Sequence, residues 1–301
     1  MTTLDAFATS PALLTATVFV LSLMVGSFLN VVIHRLPIML DREWRAQSRE
    51  MLEIGGEFSG PPAPAYNLVV PRSACPQCRA PIGVHQNIPL LSYLWLGGRC
   101  GNCRAPISAR YPIVELATGL LSAAVAWHYG WHWQTLAALA LTWALIALTV
   151  IDYDHQILPD SITLPLLWLG LLLSIAWHPG LRPAIPADPA SAIIGAAAGY
   201  LLLWLVYWGF KLITGKEGMG YGDFKLLAAL GAWMGWQMLP LIILLSALTG
   251  AVIGVALIVL RGRERGRPMP FGPFLAMAGW IAMMWGSEIV DGYLSYSWLA
   301  D

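Results

Sequence analysis

Long apolar segments separated by short polar stretches are the feature that most limits what this chain can fold into. A transmembrane helix needs about 20 mainly apolar residues to cross about 30 Å of hydrocarbon. Eight segments meet or approach this length: 11–33, 111–130, 133–151, 162–178, 190–213, 224–236, 238–260 and 270–290. The sixth is short and meets a break at Gln237–Pro240, so it either crosses the membrane or re-enters it. The pattern predicts an all-α polytopic membrane protein with about eight transmembrane helices.

Composition supports the membrane class. The chain is 57% hydrophobic and 11% charged, and its mean hydropathy is +0.64. A soluble domain carries about 25% charged residues. The formal net charge is zero, which gives no general reason to expect a nucleic-acid partner.

The distribution of lysine and arginine predicts the orientation. If the 35–110 loop is cytoplasmic, every basic residue except Arg182 lies on the cytoplasmic side. The first apolar segment has no basic flank and is too long for a signal peptide, so we expect it to be retained. The N- and C-termini are then periplasmic, and the protein is a multi-pass protein of the inner membrane.

The 35–110 loop is too long for an ordinary connection and is predicted to be a separate insert. We expect three parts: a first transmembrane segment at 1–34, the cytoplasmic insert at 35–110, and a membrane-embedded domain at 111–301. The insert holds all four cysteines of the chain in two C-x-x-C pairs, CPQC (Cys75, Cys78) and CGNC (Cys100, Cys103).

Two C-x-x-C pairs at this separation are typical of a four-thiolate zinc site, and a cytoplasmic location argues against disulfides. Such sites are mostly closed and structural, which favours a zinc ion that holds together a small domain without a core of its own. A nucleic-acid-binding zinc knuckle is the alternative, but few aromatic residues lie between the cysteines. No H-E-x-x-H pattern indicates a metalloprotease.

Acidic residues beside transmembrane segments are rare and usually functional. Asp152 ends the third segment and Asp223 begins the sixth, and the predicted topology places both at the cytoplasmic face. Two close carboxylates share a proton, so that one can act as general base on water while the other acts as acid. Gly220 and Gly222 would allow close backbone approach and unusual dihedral angles beside Asp223. The alternative interpretation is that these acids are simply solvated at the interface.

The other acids near the membrane carry weaker predictions. Asp154 is the reserve candidate for the pair, although we expect it to be exposed. Asp160 is predicted to be the N-cap of the fourth helix, and Glu217 is predicted to be a loop charge. Glu115, early in the second segment, either pairs with a cation or lines a polar site.

Four motifs spread over most of the chain resemble those of the bacterial type IV prepilin peptidases, which are bifunctional leader peptidase/N-methyltransferases. They are GSFLNVVIHRLP (26–37), the paired C-x-x-C insert, IDYDHQILPD (151–160) and GMGYGDFK (218–225). The last contains the G-x-G-D pattern of intramembrane aspartyl proteases. The order and combination of the four motifs make the resemblance specific.

The resemblance implies an aspartic endopeptidase that removes a short basic leader from prepilins and pseudopilins, after a glycine and before a residue that is usually Phe. It also implies methylation of the new N-terminal amine with S-adenosylmethionine, in support of pilus assembly and type II secretion. The family aspartates correspond to Asp152 and Asp223, and its cysteines to Cys75, Cys78, Cys100 and Cys103. No motif indicates which residues bind the methyl donor.

Two other functions compete with an enzyme. A transporter or channel would use the same acids to bind ions, but it would favour acids at the bilayer midplane and paired repeats. A scaffold stapled by zinc would keep its function without either aspartate.

Overall fold

All regular elements in the described part of the chain, residues 3–51, 65–178, 185–261 and 269–298 of a computed structural model, are helices. Arg182, Arg263, Arg265 and Arg267, on which part of the predicted orientation rests, lie outside these residues. The helices are α1 Thr3–Thr9, α2 Pro11–Met51, α3 Leu91–Trp95, α4 Arg110–Tyr129, α5 Trp133–His155, α6 Asp160–Ser174, α7 Pro189–Thr214, α8 Tyr221–Met234, α9 Leu239–Arg261 and α10 Gly272–Trp298.

A helix forms at each of the eight predicted apolar segments, so the predicted all-α membrane class is confirmed. Five of the described helical stretches are long and apolar enough to cross a membrane: Pro11–Met51, Trp133–His155, Pro189–Thr214, Trp236–Leu260 and Gly272–Tyr296. The segments predicted around residues 111, 162 and 224 form the shorter or less apolar helices α4, α6 and α8.

The chain divides into two compact units, Met1–Ala124 and Val125–Asp301. In the first unit, α2 does not stop at residue 34, where the first domain was predicted to end. It runs for 41 residues through Pro37 to Met51. The first part of the insert is therefore a continuation of the first apolar helix, while the three predicted domain ranges stay a prediction.

Helix α8 is the centre of the second unit. It has 14 residues, which at about 1.5 Å per residue gives roughly 21 Å, less than the hydrocarbon core of a bilayer. Nearly every residue from Asp223 to Met234 is buried, and helices α6, α7, α9 and α10 pack around it. Its apolar side chains are therefore covered by protein rather than by lipid.

Glycines allow α7 to cross α8 at backbone contact. A Cβ atom on Gly195 would collide with the carbonyl oxygen of Gly231, and one on Gly231 would collide with the carbonyl of Gly195. One turn further along, a Cβ on Gly199 would lie 2.7 Å from the carbonyl oxygen of Leu227. Small residues at such a crossing bring helices together in membranes, where there is no hydrophobic force between them.

The start of α6 corrects one prediction. Its N-cap is Pro159, and Asp160 is the first helical residue, so the prediction of Asp160 as N-cap was wrong. The Asp160 carboxylate instead accepts from Lys225 Nζ at 2.6 and 2.7 Å. This ion pair connects the start of α6 with the first turns of α8.

The crossing of α7 and α8 predicts opposite effects for two glycines of the same helix. Gly195→Ala should lower the free energy of unfolding by about 1–3 kcal/mol, because its methyl group has no room beside Gly231. Gly209→Ala should be neutral or raise stability by up to about 1 kcal/mol, since nothing lies within 4 Å of the added methyl and alanine favours helix. Thermal unfolding of both variants in detergent measures the difference, and equal midpoints would contradict the tight crossing.

Candidate functional site

Asp152 lies in the last turn of α5 and is only 5% exposed. The helix ends directly after it, where Gln156 adopts the left-handed conformation and donates its backbone N–H to the Asp152 carbonyl at 2.9 Å. The Asp152 side chain accepts a hydrogen bond from the backbone N–H of Gly272 at 3.0 Å. Gly272 is the first residue of α10, so the end of one helix meets the start of another at this carboxylate.

Asp223 lies in the first turn of α8 and is 7% exposed. Gly220 is the N-cap of that helix, and its backbone forms a hydrogen bond with the Asp223 carboxylate. This contact is one half of a capping box, in which an acidic side chain at the third helical position binds the N-cap backbone. The local sequence thus turns the carboxylate back toward the start of its own helix.

The two carboxylates belong to one site. Asp152 and Asp223 are close enough for their negative charges to repel each other. Leu158 lies against both surrounding backbones: a Cβ on Gly222 would be 2.7 Å from its Cβ, and one on Gly272 would be 3.2 Å from its Cδ1. Two buried carboxylates that repel each other favour a state with a single shared proton.

Only part of the predicted role of the glycines agrees with the structure. Gly222 permits the close approach to Leu158, as expected. Gly220 has φ −82° and ψ 150°, which any residue can adopt, and Gly222 lies within the regular helix α8. The prediction of unusual dihedral angles beside Asp223 was therefore wrong.

Gly272 was missed by the sequence analysis. A Cβ at this position would lie 2.6 Å from Asp152 Oδ2, so a side chain here would displace the carboxylate. The available signal was the stretch PFGPF before the last apolar segment, because glycine and proline together mark a helix start. The sequence does not indicate which acid this backbone would contact.

Solvent reaches the rim of the acid pair. Tyr153, Asp154 and His155 are exposed directly after Asp152, so the reserve candidate Asp154 lies at the surface as expected. The loop before Asp223 is also largely exposed, and Glu217 in this loop lies 2.8 Å from Lys211 Nζ. The hydrogen bond from Lys211 keeps the pKa of Glu217 below its ordinary value. The two buried carboxylates thus lie next to surface loops that water can enter.

The four cysteine thiols form a second cluster in the other unit. The sulfur atoms of Cys75, Cys78, Cys100 and Cys103 all lie within 4.8 Å of one another, so they could hold one metal ion. The Asn102 side-chain amide donates to Cys78 Sγ at 3.5 Å and lowers the pKa of that thiol to about 6. A lowered thiol pKa favours the thiolate form that binds metals.

Both thiol pairs are built by the same backbone turn. In each pair the first cysteine accepts from the residue after the second one: Arg79 N donates to Cys75 O at 2.9 Å, and Arg104 N donates to Cys100 O at 3.0 Å. Arg79 and Arg104 both have positive φ, 56° and 58°. The repeated sequence C-x-x-C-R-A-P thus makes two equivalent knuckles.

The first apolar helix anchors the start of the described insert through Arg35. This side chain is 8% exposed, and its two terminal nitrogens donate to the carbonyl oxygens of Asn67 at 2.9 Å and Pro71 at 2.6 Å. Its guanidinium also lies 5.7 Å from the ring of Tyr66. The signature 26–37 therefore contains a buried cation that binds the insert rather than an interfacial one.

Glu115 forms a further connection between the insert and the helices. Its carboxylate accepts from the backbone N–H of Leu90 at 2.9 Å and also binds the Ser27 side chain. Leu90 has φ 59° and ψ −49°, an unfavourable conformation for leucine that surrounding contacts must maintain. Glu115 lines a polar contact, as one of its two predicted roles required, and its described partners include no cation.

Comparison with known proteins confirms the resemblance seen in the motifs. The family described as Bacterial Peptidase A24 N-terminal domain matches residues 20–129, and the Type IV leader peptidase family matches residues 139–255. Proteins named prepilin leader peptidase/N-methyltransferase are similar over most of their length. The one from Aeromonas hydrophila is 60% identical over 95% of both chains, and the one from Pseudomonas aeruginosa is 56% identical over 99% of both. No solved structure matches.

The contact between Glu115 and Leu90 predicts that the insert loosens when the carboxylate is removed. Glu115→Ala leaves the Leu90 N–H without its acceptor and should cost about 1–3 kcal/mol, seen as faster hydrogen exchange of residues 88–96. Glu115→Gln keeps an acceptor oxygen of the same reach and should have a smaller effect. Unchanged exchange in the alanine variant would contradict the anchoring role.

Proposed function

The chain belongs to the type IV leader peptidase family, and on this premise we propose that it removes leader peptides from type IV prepilins and pseudopilins with the aspartate pair Asp152 and Asp223. The observation that carries the assignment is the meeting of these two buried carboxylates at the ends of α5 and α8. They come from segments far apart in the sequence. Two acids that repel each other in a buried site are costly unless they are used.

The chemistry follows from one proton shared by two carboxylates. The ionised carboxylate takes a proton from water while the water oxygen attacks the scissile carbonyl carbon. The protonated carboxylate gives its proton to the carbonyl oxygen, and the resulting intermediate collapses as the leaving amine is protonated. The backbone N–H groups of Gly272 and Gly220 hold the carboxylates in place through their hydrogen bonds. The exposed rim at Asp154 and the loop before Asp223 supplies the water.

The orientation of the site supports a substrate whose leader is cytoplasmic. Lys211, Lys216 and Lys225 lie in or beside the elements that carry the aspartates, as the positive-inside rule requires of a cytoplasmic face. The protein is then a multi-pass protein of the bacterial inner membrane, with the insert and the aspartates cytoplasmic and both termini periplasmic. A prepilin with a cytoplasmic leader and an apolar helix in the bilayer can reach this face.

The thiol cluster fits a structural zinc ion. Four thiolates bound at about 2.3 Å in tetrahedral geometry stand about 3.8 Å apart. The sulfur atoms of Cys75 and Cys103 are 3.8 Å apart. With four protein ligands no position is open for a substrate, so zinc would hold the two knuckles together.

The second activity of the protein is N-methylation of the newly exposed amine, with S-adenosylmethionine as methyl donor. Its support is the name carried by close relatives, prepilin leader peptidase/N-methyltransferase. Processed pilins would then enter pilus assembly and type II secretion. Incubation of the purified protein with a prepilin and a labelled methyl donor measures cleavage and methylation separately.

Substitution of the aspartates tests the peptidase assignment. Asp152→Asn and Asp223→Asn should each reduce leader cleavage by at least about 10²-fold, because neither variant can share a proton in the required way. Asp154→Asn changes an exposed acid of the same helix and should retain cleavage. Normal processing by either Asn variant would refute the pair, and survival of pilus assembly without both aspartates would favour the scaffold.

Metal content tests the role of the cysteines. The purified protein should contain about one zinc ion per chain, and Cys75→Ser or Cys100→Ser should lose it and make the insert sensitive to protease. Gln77→Ala alters an exposed residue of the first knuckle without removing a thiol and should keep the metal. Zinc-free protein with reduced thiols would contradict the site.

A further inference from the structure

The insert exposes a large apolar surface on a small helix. In α3, the side chains of Leu91, Leu94 and Trp95 are 63%, 74% and 81% exposed. The flanking sequence is basic, with Arg99 and Arg104 close behind. Exposed apolar clusters of this kind on a polar domain usually mark a surface that something apolar covers.

Contacts between α2 and α4 show at which level of the membrane this surface lies. The helices run in opposite directions, because Asn30 Nδ2 donates to the Tyr111 carbonyl at 3.1 Å while Gly119 faces Leu23. Between these contacts, a Cβ on Gly26 would lie 2.8 Å from the Cα atom of Glu115. Glu115 is therefore level with the middle of the apolar part of α2.

Leu90 is held at the same level. Its N–H donates to the Glu115 carboxylate at 2.9 Å, and that carboxylate also binds Ser27. The apolar run of α2 continues for seven residues beyond Ser27 before the polar residue His34. At about 1.5 Å per residue, Leu90 lies roughly 10 Å inside the membrane relative to His34.

The backbone of this segment suits an apolar surrounding. Lipid offers no partner for a backbone N–H, so each one must be bonded within the protein. The N–H groups of Ser92, Leu94 and Leu96 donate to carbonyls of the preceding turn at 2.9–3.0 Å, and those of Gly97, Gly98 and Arg99 are also bonded. Together with the bond from Leu90 to Glu115, the turn presents apolar side chains and few free donors.

We propose that α3 is not part of the water-exposed insert but enters the adjacent lipid leaflet, where Leu91, Leu94 and Trp95 contact acyl chains. The neighbouring face of α2 supports a lipid occupant, since Met24 and Phe28 at the same level are 63% and 52% exposed. Tryptophan is favoured at the membrane interface, and Arg99 beyond the turn matches the anionic headgroups. This proposal requires that α2 cross the bilayer, and it is independent of the peptidase assignment.

Photocrosslinking in the full-length protein tests this location. Trp95 is replaced by the photoreactive residue benzoylphenylalanine, and the purified protein is placed in nanodiscs of phosphatidylethanolamine and phosphatidylglycerol. The same replacement at Trp44, a 50% exposed residue in the polar part of α2, is the matched control. After irradiation, phospholipid adducts on each peptide are measured by mass spectrometry.

We expect at least tenfold more phospholipid adduct at position 95 than at position 44. Equal adduct formation at the two positions would overturn the proposal, and so would crosslinking of position 95 mainly to another polypeptide. A second measurement uses lipids brominated on the acyl chain, which should quench less of the total tryptophan emission in Trp95→Phe than in the unmodified protein. Trp44→Phe should leave the quenched portion unchanged, and equal quenching in all three proteins would also overturn the proposal.

Discussion

The enclosure of α8 by its neighbours is the constraint on which the second unit depends. This helix is too short to cross a bilayer on its own, and it begins with a carboxylate that lipid would not accept. Both problems are solved by surrounding it with protein. The glycines at the α7 crossing permit the required closeness, because any larger residue at Gly195 or Gly231 would force the two backbones apart.

The same enclosure brings the acids together. Once α8 is packed against α6 and α10, Asp223 at its start faces the end of α5 and the start of α10. The carboxylate of Asp152 is held there by a backbone N–H, a donor that cannot move with a side-chain rotation. Leu158 fills the space between the two glycine backbones and excludes water from one side of the pair. An acid–base pair of this kind needs both a fixed geometry and an open rim, and the exposed residues after Asp152 supply the rim.

The first unit solves a different problem, that of an insert with neither strands nor a large apolar core in its described part. Two equivalent knuckles place the thiols within reach of one ion, and two buried side chains, Arg35 and Glu115, bind the insert backbone to the helices. Both anchors bind main-chain groups, so they hold the insert through its backbone. The result is a small domain whose position depends on the helices beside it, which is why α3 can lie at the depth of the apolar part of α2.

How far the sequence could predict this arrangement differs from residue to residue. The four cysteines were recognisable because C-x-x-C spacing is local and forms its turn without help from the rest of the chain. Asp152 and Asp223 were recognisable as acids at one face, since hydropathy and the positive-inside rule give the order of the crossings. Gly272 and the partners of Arg35 and Glu115 were not, because each contact joins a residue to a distant backbone atom, in one case 120 residues away. The Asp160 N-cap was wrong for a similar reason: its carboxylate is drawn to Lys225 of another helix.

The sequence by itself determined the helical membrane class, the metal-ligand set and the pair of candidate acids, because all three depend on residue type and local spacing. Only the tertiary structure decided that Asp152 and Asp223 share one buried site, that α8 is enclosed by protein, and that Asp154 stays at the surface. These outcomes depend on which backbones can approach each other. That is decided by the absence of side chains at a few glycines and by hydrogen bonds between distant segments, which no local pattern records.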